Sequence, residues 1–175
     1  MSHKPHIWLI GGTAGLGAVF SAPAFAAPAN MDVVITIPRI SVAEYHRPYV
    51  AFWVEKAGSA PKTVAVWYDD DMKANEGTKW LRDVRQWWRV SGRSMTFPAR
   101  GISSATRAPG THRISFSRAA LGATAPGQYQ LVVEASREVG GRELLRIPFT
   151  WPAAAGKGGS AQGKNELGQV AVSFR

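Results

Sequence analysis

Alternating apolar and polar residues recur in short runs from residue 33 to the end of the chain. Successive side chains of a β-strand point to opposite faces, so this alternation predicts strands that cover a core with one face. Turn residues separate the runs, and the whole pattern predicts an all-β fold, an antiparallel β-sandwich of about seven strands. The predicted strands are 33–37, 50–55, 63–68, 112–116, 128–135, 144–151 and 170–174.

Glycine and proline mark the predicted turns and the sheet edge. Gly140 and Gly141 lie between two predicted strands and can supply the positive φ angles of a tight hairpin turn. Pro148 has no amide hydrogen to donate, so it predicts an edge strand. Residues 153–164 (AAAGKGGSAQGK) are rich in small residues and predict a flexible loop before the last strand.

One stretch, residues 78–89, has the periodicity of a helix instead of a strand. Its apolar residues recur every three to four positions and would form one face. They are Trp80, Leu81, Val84, Trp87 and Trp88. Thr78 can cap the N-terminus. We therefore expect a single short amphipathic helix that lies across an open side of the sandwich.

The first 26 residues have the pattern of a cleaved secretory signal peptide. A basic start is followed by the apolar stretch 7–20 and by the A-x-A cleavage pattern Ala24-Phe25-Ala26. Cleavage after Ala26 would leave residues 27–175 as a single β-sandwich domain. We expect a periplasmic protein with no membrane insertion after the signal is removed, because no other stretch is apolar enough to cross a bilayer.

Composition and charge narrow the possible chemistry. The 175-residue sequence has no cysteine, which excludes disulfide bonds, thiolate metal sites, Cys-linked haem and a cysteine nucleophile. Lys and Arg number 21 against 12 Asp and Glu, and removal of Lys4 with the signal takes the formal charge from +9 to +8. Such a charge raises the question of an anionic partner. Nucleic acid is not expected, because the basic residues are spread along an exported chain.

The sequence contains no evident catalytic or metal-binding constellation. His46 and His112, the histidines of the mature chain, lack the spacing of metal ligands, and no G-x-S-x-G motif is present. Asp69-Asp70-Asp71 follows a predicted strand but lacks the alternating acids and the distal Glu of an EF-hand loop, so a solvated turn is favoured over a Ca²⁺ site. We expect no metal and no enzymatic activity.

An aromatic and cationic cluster is the first candidate binding surface. Trp80, Trp87 and Trp88 are interspersed with arginines that include Arg85 and Arg89. Such a cluster can stack on a flat ligand, a sugar or a nucleobase. An aromatic stripe at helical spacing also arises when the tryptophans pack in a core and the arginines are solvated. Both interpretations stay open on the sequence alone.

The segment 101–106 (GISSAT) is the second candidate site. Its small and hydroxylic residues predict an accessible loop with Thr106 exposed near its end. Ser104 and Ala105 keep the backbone thin enough to enter a transferase, and the Thr106 hydroxyl can attack a phosphoanhydride. The alternative is an ordinary loop, because turns favour the same small residues.

Several blocks of the chain resemble the bacterial domain of unknown function 2271 family. The blocks are 48–55, 80–89, 104–107 with 109–112, and 126–129 leading to 133–138 and Gly140-Gly141. The resemblance covers residues 31–151 and implies an immunoglobulin-like, exported protein. Members of this family are often encoded near PepSY-type membrane proteins linked to iron and electron transport. The resemblance therefore also implies a partner of that kind.

A second, shorter resemblance concerns residues 103–106. They are similar to the attachment motif of extracytoplasmic flavoproteins, in which a FAD:protein FMN transferase joins FMN to a threonine through a phosphoester. That motif runs acid, two variable residues, Ser or Thr, Gly or Ser, Ala or Ser, Thr. Ser103, Ser104, Ala105 and Thr106 match it, whereas Arg100 occupies the acid position. The resemblance implies covalent FMN on Thr106, with neighbouring Trp and Arg residues packed on its ring.

These observations lead to three alternative functions. The first is a non-enzymatic periplasmic accessory or interaction module that partners a PepSY-type membrane protein in iron or electron transport. The second is a periplasmic electron carrier with FMN covalently attached at Thr106. The third is a sugar- or metabolite-binding domain that uses the Trp and Arg cluster. The sequence favours the first, because of the family resemblance and the lack of a catalytic constellation.

Overall fold

Two β-sheets make up most of the structure. The computed structural model describes residues 30–122 and 125–175, so the predicted signal peptide 1–26 lies outside the described residues. The strands are β1 (Asn30–Ile37), β2 (Tyr49–Glu55), β3 (Lys62–Tyr68), β4 (Ser103–Ala105), β5 (Gly110–Ser117), β6 (Gly127–Ser136), β7 (Arg142–Trp151), β8 (Gly158–Gln162) and β9 (Gln169–Phe174).

The two sheets have the strand orders β5-β1-β9-β8 and β4-β3-β2-β6-β7. Neighbouring strands are antiparallel except β3 and β4, which are parallel. The prediction of an all-β sandwich is confirmed, with nine strands in the described ranges in place of about seven. The additional strands, β4 and β8, are short and lie at sheet edges. Pro148 lies in the edge strand β7, as its missing amide predicts.

The main core fills the space between the sheets. Along β1, Met31, Val33, Ile35 and Ile37 are buried, and the residues between them are partly exposed. Full burial of such a side chain contributes about 1.5–3 kcal/mol. Aromatic rings from both sheets meet these aliphatic side chains; they are Phe52, Trp67, Phe116, Tyr129, Phe149, Trp151 and Phe174.

A second core lies on the outer face of the five-stranded sheet. β2 is buried on both faces because its outward residues Ala51 and Trp53 are covered by the segment that joins β3 to β4. Leu81 and Trp87 of that segment are buried against them. The predicted position of residues 78–89, across an open side of the sandwich, is therefore confirmed.

The covering segment is not the single helix that the periodicity predicts. It comprises a 3-10 segment (Lys73–Asp83) and a short α-helix, α1 (Arg85–Val90), with a non-helical Val84 between them. Thr78 does not cap a helix, because its hydroxyl donates to the carbonyl of Asn75 at 2.7 Å. A 3-10 turn (Gly92–Ser94) and the helix α2 (Arg118–Leu121) follow. No helix in the residues described here is long and apolar enough to span a bilayer.

A buried carboxylate explains why the helix restarts after Val84. Glu134 of β6 is fully buried and accepts hydrogen bonds from the backbone N–H groups of Gln86 at 3.1 Å and Trp87 at 2.8 Å. N–H groups in the first turn of a helix have no partner inside the helix. Arg142 donates to the same carboxylate at 2.8 Å. A neighbouring strand thus caps α1, and residues 78–89 alone do not contain that signal.

The glycines of the hairpin between β6 and β7 leave room for neighbouring side chains. The positive φ angle of the turn, 50°, falls on Val139. A Cβ atom on Gly140 would lie 2.4 Å from the guanidinium carbon of Arg137, and one on Gly141 would lie 2.7 Å from a carboxylate oxygen of Glu166. The glycines make room for a buried Arg137–Glu166 ion pair with a shortest N–O distance of 2.9 Å. The predicted turn is present, but the predicted role of its glycines is wrong.

Part of the predicted flexible loop 153–164 is a strand. β8 pairs with β9, from Gly158 opposite Ser173 to Gln162 opposite Gln169. A Cβ atom on Gly158 would lie 1.7 Å from the backbone carbonyl oxygen of Val172, so glycine permits a close approach here that other residues do not. The small residues that suggest flexibility by composition instead let two strands pack closely.

Candidate functional site

A cavity of about 590 Å³ opens where β3 and β4 end. This volume falls within the range of roughly 300–1,000 Å³ that is typical of small-molecule sites. Its walls come from the ends of β3 and β4, the start of β2, the 3-10 segment and residues 45–47. The lining residues are Tyr45, His46, Arg47, Tyr49, Asp69, Asp71, Met72, Trp80, Asp83, Ala105, Thr106, Ser136 and Glu138.

The parallel pairing of β3 and β4 sets Asp69 and Thr106 side by side. Tyr68 lies opposite Ala105, so the next residue of each strand leaves the sheet at the same place. The Thr106 hydroxyl donates to the Asp69 carboxylate at 3.0 Å, and the Thr106 N–H donates to the Tyr68 carbonyl at 3.1 Å. Thr106 is only 7% exposed, so the prediction of an exposed threonine in an accessible loop is wrong. The predicted loop residues form β4, which holds Thr106 against β3.

Tyr49 contacts the Asp69 carboxylate from the other side. Its hydroxyl lies 3.4 Å from the second carboxylate oxygen and 3.1 Å from the Gly77 carbonyl oxygen. Burial and the adjacent Asp69 charge raise the pKa of Tyr49 far above its usual range, so the hydroxyl remains protonated. Tyr49, Asp69 and Thr106 therefore form a connected hydrogen-bond chain in the cavity wall.

Charged groups of both signs line the cavity. His46 lies 3.1 Å from a carboxylate oxygen of Glu44 and 3.4 Å from one of Glu138. Arg47 adds a positive charge to this side of the lining. Asp71 and Asp83 are exposed carboxylates, so water screens their charge.

The Tyr45 side chain presents a polar atom without a partner. Its hydroxyl oxygen is buried, and it has no hydrogen-bond partner within the part of the chain that the structure describes. Burial raises the pKa of Tyr45, so the neutral hydroxyl can donate or accept a hydrogen bond. A buried hydroxyl left unsatisfied in a cavity wall is expected where a ligand or a water molecule completes the site.

The structure separates the predicted aromatic and cationic cluster. Trp87 is fully buried in the second core, and Trp88 is half-buried beside it with ring centres 6.1 Å apart. Arg89 is exposed on α1. Trp80 lines the cavity and also a neighbouring shallow groove, where Arg85 accompanies it. The three tryptophans therefore do not share one solvent-facing surface.

Sequence reasoning missed the residues that surround Thr106. The sequence places Asp69 in a solvated turn, whereas the structure gives its carboxylate two hydroxyl donors. In the sequence, Asp69 follows one predicted strand and Thr106 follows a short stretch 37 residues later. Residues so far apart have no periodic relation that would predict their contact. Within residues 30–122 and 125–175, no group of three or more His, Asp or Glu side chains is placed to hold a metal ion.

The comparisons with known proteins agree with the sequence resemblance. A family model described as "predicted periplasmic protein (DUF2271)" matches residues 30–169. The match includes the strands β1 to β8 and every residue that lines the cavity. No match was found among the curated proteins or the solved structures. The chain belongs to the domain of unknown function 2271 family and is a periplasmic protein.

Proposed function

We propose that this protein is an accessory electron carrier that holds FMN covalently at Thr106 and exchanges electrons with a PepSY-type membrane protein. The observation that carries the proposal is the Thr106 hydroxyl, which lines a ligand-sized cavity and donates to the Asp69 carboxylate at 3.0 Å. A hydroxyl beside a base is the arrangement that nucleophilic attack requires. In this role the protein is a carrier and not an enzyme, and the nature of the partner follows from the family resemblance.

The cavity lining suits a flat group with a phosphate at one end. Tyr45 and Trp80 are the aromatic lining residues, and the unpartnered Tyr45 hydroxyl offers a hydrogen bond. Arg47 is a cationic lining group and suits a phosphate. Bound FMN would supply the capacity to accept and release electrons.

A few hydrogen bonds control access to Thr106. β4 has three residues, lies at the sheet edge, and is preceded by Ile102, whose carbonyl accepts from the Val66 N–H at 2.8 Å. Each such bond contributes about 0.5–1.5 kcal/mol net. Opening this edge therefore costs far less than unfolding the sandwich, and short segments of this kind open locally in folded proteins. A transferase can reach the hydroxyl when the Ile102 end of β4 opens, while the Thr106 N–H stays bonded to the Tyr68 carbonyl and the hydroxyl stays beside Asp69.

The test is the intact mass of the mature protein after co-expression, in the periplasm, with a FAD:protein FMN transferase. We expect a gain equal to one FMN less one water, and a yellow protein. Thr106→Ala should abolish the gain. Thr111→Ala is the matched control, since it removes an exposed threonine hydroxyl from β5, and it should keep the gain. No gain for the unsubstituted protein, or an equal gain for Thr106→Ala, would refute the attachment.

A second candidate function is an interaction module that needs no cofactor, and the tip of the β6–β7 hairpin favours it. Val139 is 81% exposed and has a φ angle of 50°. The left-handed conformation costs a non-glycine residue about 1–2 kcal/mol. Strained backbone and exposed apolar side chains are both found at binding surfaces. The adjoining groove is lined by Trp80 and by charged groups of both signs, Arg85 and Arg142 with Asp83 and Glu138, which suit a partner surface of mixed charge.

Capture of the protein by the periplasmic part of a PepSY-type membrane protein tests this second candidate. Val139→Asp should abolish capture. Val42→Asp places the same charge at a second exposed valine, 45% exposed, and should leave capture unchanged. Equal capture of both variants, or no capture of the unsubstituted protein, would argue against docking through the hairpin. The third alternative, sugar or metabolite binding by the Trp and Arg cluster, has less support because Trp87 is buried.

A further inference from the structure

The attachment motif lacks its acid in the sequence, but a different acid contacts Thr106 in the folded protein. Arg100 occupies the acid position of the motif and is exposed. Asp69 follows β3 and reaches the Thr106 hydroxyl with its Oδ1 atom at 3.0 Å, although it lies 37 residues away along the chain. The fold therefore brings to the hydroxyl a carboxylate that the local sequence does not contain.

We propose that Asp69 is the general base for FMN attachment at Thr106, a role that rests on the proposed function. The Thr106 oxygen forms a bond to the flavin-side phosphorus of FAD, and the bond from that phosphorus to the bridging oxygen breaks. AMP leaves with the bonding electrons. The Thr106 proton passes to the Asp69 carboxylate and then to water. The transferase supplies FAD, and nothing is oxidised or reduced in this step.

The position of Asp69 suits proton transfer. A general base acts within about 2.6–3.2 Å of the atom that it deprotonates, and the Thr106–Asp69 distance of 3.0 Å lies in that range. The Tyr49 hydroxyl lies 3.4 Å from the other carboxylate oxygen, Oδ2, so Oδ1 is left for Thr106. A Cβ atom on Gly77 would lie 2.0 Å from the Asp69 carbonyl oxygen, so the 3-10 segment closely confines the Asp69 backbone. Tyr49 is thus a positioning residue and Asp69 the base.

Holding β4 in place does not require the Asp69 side chain. The backbone already fixes both ends of this strand, through the Val66 N–H to the Ile102 carbonyl at 2.8 Å and the Thr106 N–H to the Tyr68 carbonyl at 3.1 Å. Within β4 and Thr106, the only hydrogen bond to the Asp69 carboxylate comes from the Thr106 hydroxyl, and the other carboxylate oxygen faces the Tyr49 hydroxyl. A role in the chemistry of that hydroxyl accounts for this contact better than a role in strand pairing.

The rate of mass gain in a mixture of purified mature protein, FAD and transferase tests the role of Asp69. General acid–base catalysis contributes about 10²–10⁴-fold to a rate, so we expect Asp69→Asn to slow attachment by at least about 100-fold. Asp70→Asn makes the same chemical change at the exposed neighbouring residue and should leave the rate unchanged. Thermal unfolding of each variant checks whether the fold is retained.

Chemical rescue distinguishes a base from a structural support. Asp69→Ala leaves a space beside Thr106, and added formate, a small carboxylate, should restore part of its rate without accelerating Asp70→Asn. FMN attachment to Asp69→Asn at the rate of the unsubstituted protein would overturn the role of Asp69. A folded Asp69→Ala variant that formate does not rescue would do the same. Either result would leave the proposed attachment of FMN to Thr106 intact. Asp69→Asn keeps the side-chain shape and decides the question if Asp69→Ala does not fold. Absence of mass gain in the unsubstituted protein overturns both proposals.

Discussion

Replacing Glu166 by glutamine should destabilise the protein through the buried ion pair beneath the β6–β7 hairpin. The Arg137 side chain is 6% exposed and that of Glu166 is 4% exposed. Two guanidinium nitrogens donate to the Glu166 carboxylate, at 2.9 and 3.1 Å, and the Gly141 N–H donates to it at 2.8 Å. Glutamine keeps the size of the side chain but removes its charge, so the Arg137 charge remains buried without a counterion.

The expected loss is large because the pair is so well enclosed. Breaking a buried ion pair by removing one partner costs about 3–5 kcal/mol. For a domain of this size, 1 kcal/mol corresponds to roughly 2–4 °C in Tm, so we expect Glu166→Gln to lower the Tm by about 6–20 °C. Replacing both Arg137 and Glu166 by leucine should recover most of this loss, since apolar pairs often substitute for buried ion pairs without net cost.

Urea unfolding followed by tryptophan fluorescence and circular dichroism measures these differences. Glu138→Gln is the matched control, because it makes the same change one residue from Arg137 at an exposed carboxylate beside His46. Exposed ion pairs contribute about 0–1 kcal/mol, so the control should change little. A loss below about 1 kcal/mol for Glu166→Gln would refute the reasoning, because the ion pair would then be no more important than an exposed one.

Four further predictions concern stability and the cavity. Although burial tends to raise the pKa of Glu143, hydrogen bonds from the backbone N–H groups of Leu167, Lys164, Asn165 and Glu166 outweigh it and lower the pKa from the usual 4.5. The stabilising contribution of Glu143 is therefore present above about pH 4.5 and is lost as the pH falls through the folded-state pKa, so Glu143→Gln should destabilise at pH 7 and lose its effect in acid. Val139→Gly should raise the free energy of unfolding by about 1 kcal/mol, because it relieves a left-handed valine; a decrease in Tm would contradict this. Gly158→Val should cost about 1–3 kcal/mol by overpacking against β9, whereas Ser160→Val, at an exposed position of the same strand, should not. In the flavin-loaded protein, Trp80→Leu should raise flavin fluorescence by removing a quenching ring from the cavity, and Trp88→Leu, outside the cavity lining, should not.

The local pattern of the sequence was enough to predict most of the sandwich. β1 alternates between buried and partly exposed residues along its whole length, so its core face can be read directly. β2 is also recognisable as a strand, but its burial on both faces depends on residues that come after β3. β8 was missed because composition does not reveal that Gly158 lies against the backbone of Val172.

The helical segment and the site were less predictable, because each depends on distant partners. The break at Val84 follows from capping of α1 by Glu134, a residue of β6. The motif around Thr106 could be recognised from the sequence, but its burial and its contact with Asp69 result from the parallel pairing of β3 with β4. Nothing in the spacing of single residues encodes that pairing.

The two separate cores of this protein have a consequence for its dynamics. Val50 and Phe52 of β2 face the main core, while Ala51 and Trp53 face the second core. β3 and β6 divide their side chains in the same way, so the two hydrophobic clusters share strands but no side chains. Opening the covering layer therefore disturbs the second core and leaves the contacts between the sheets in place. Backbone amides in residues 73–106 should exchange with deuterium sooner than those of β1 and β9 at the centre of the other sheet. Such local opening would give a transferase access to the end of β4 while the two sheets stay folded.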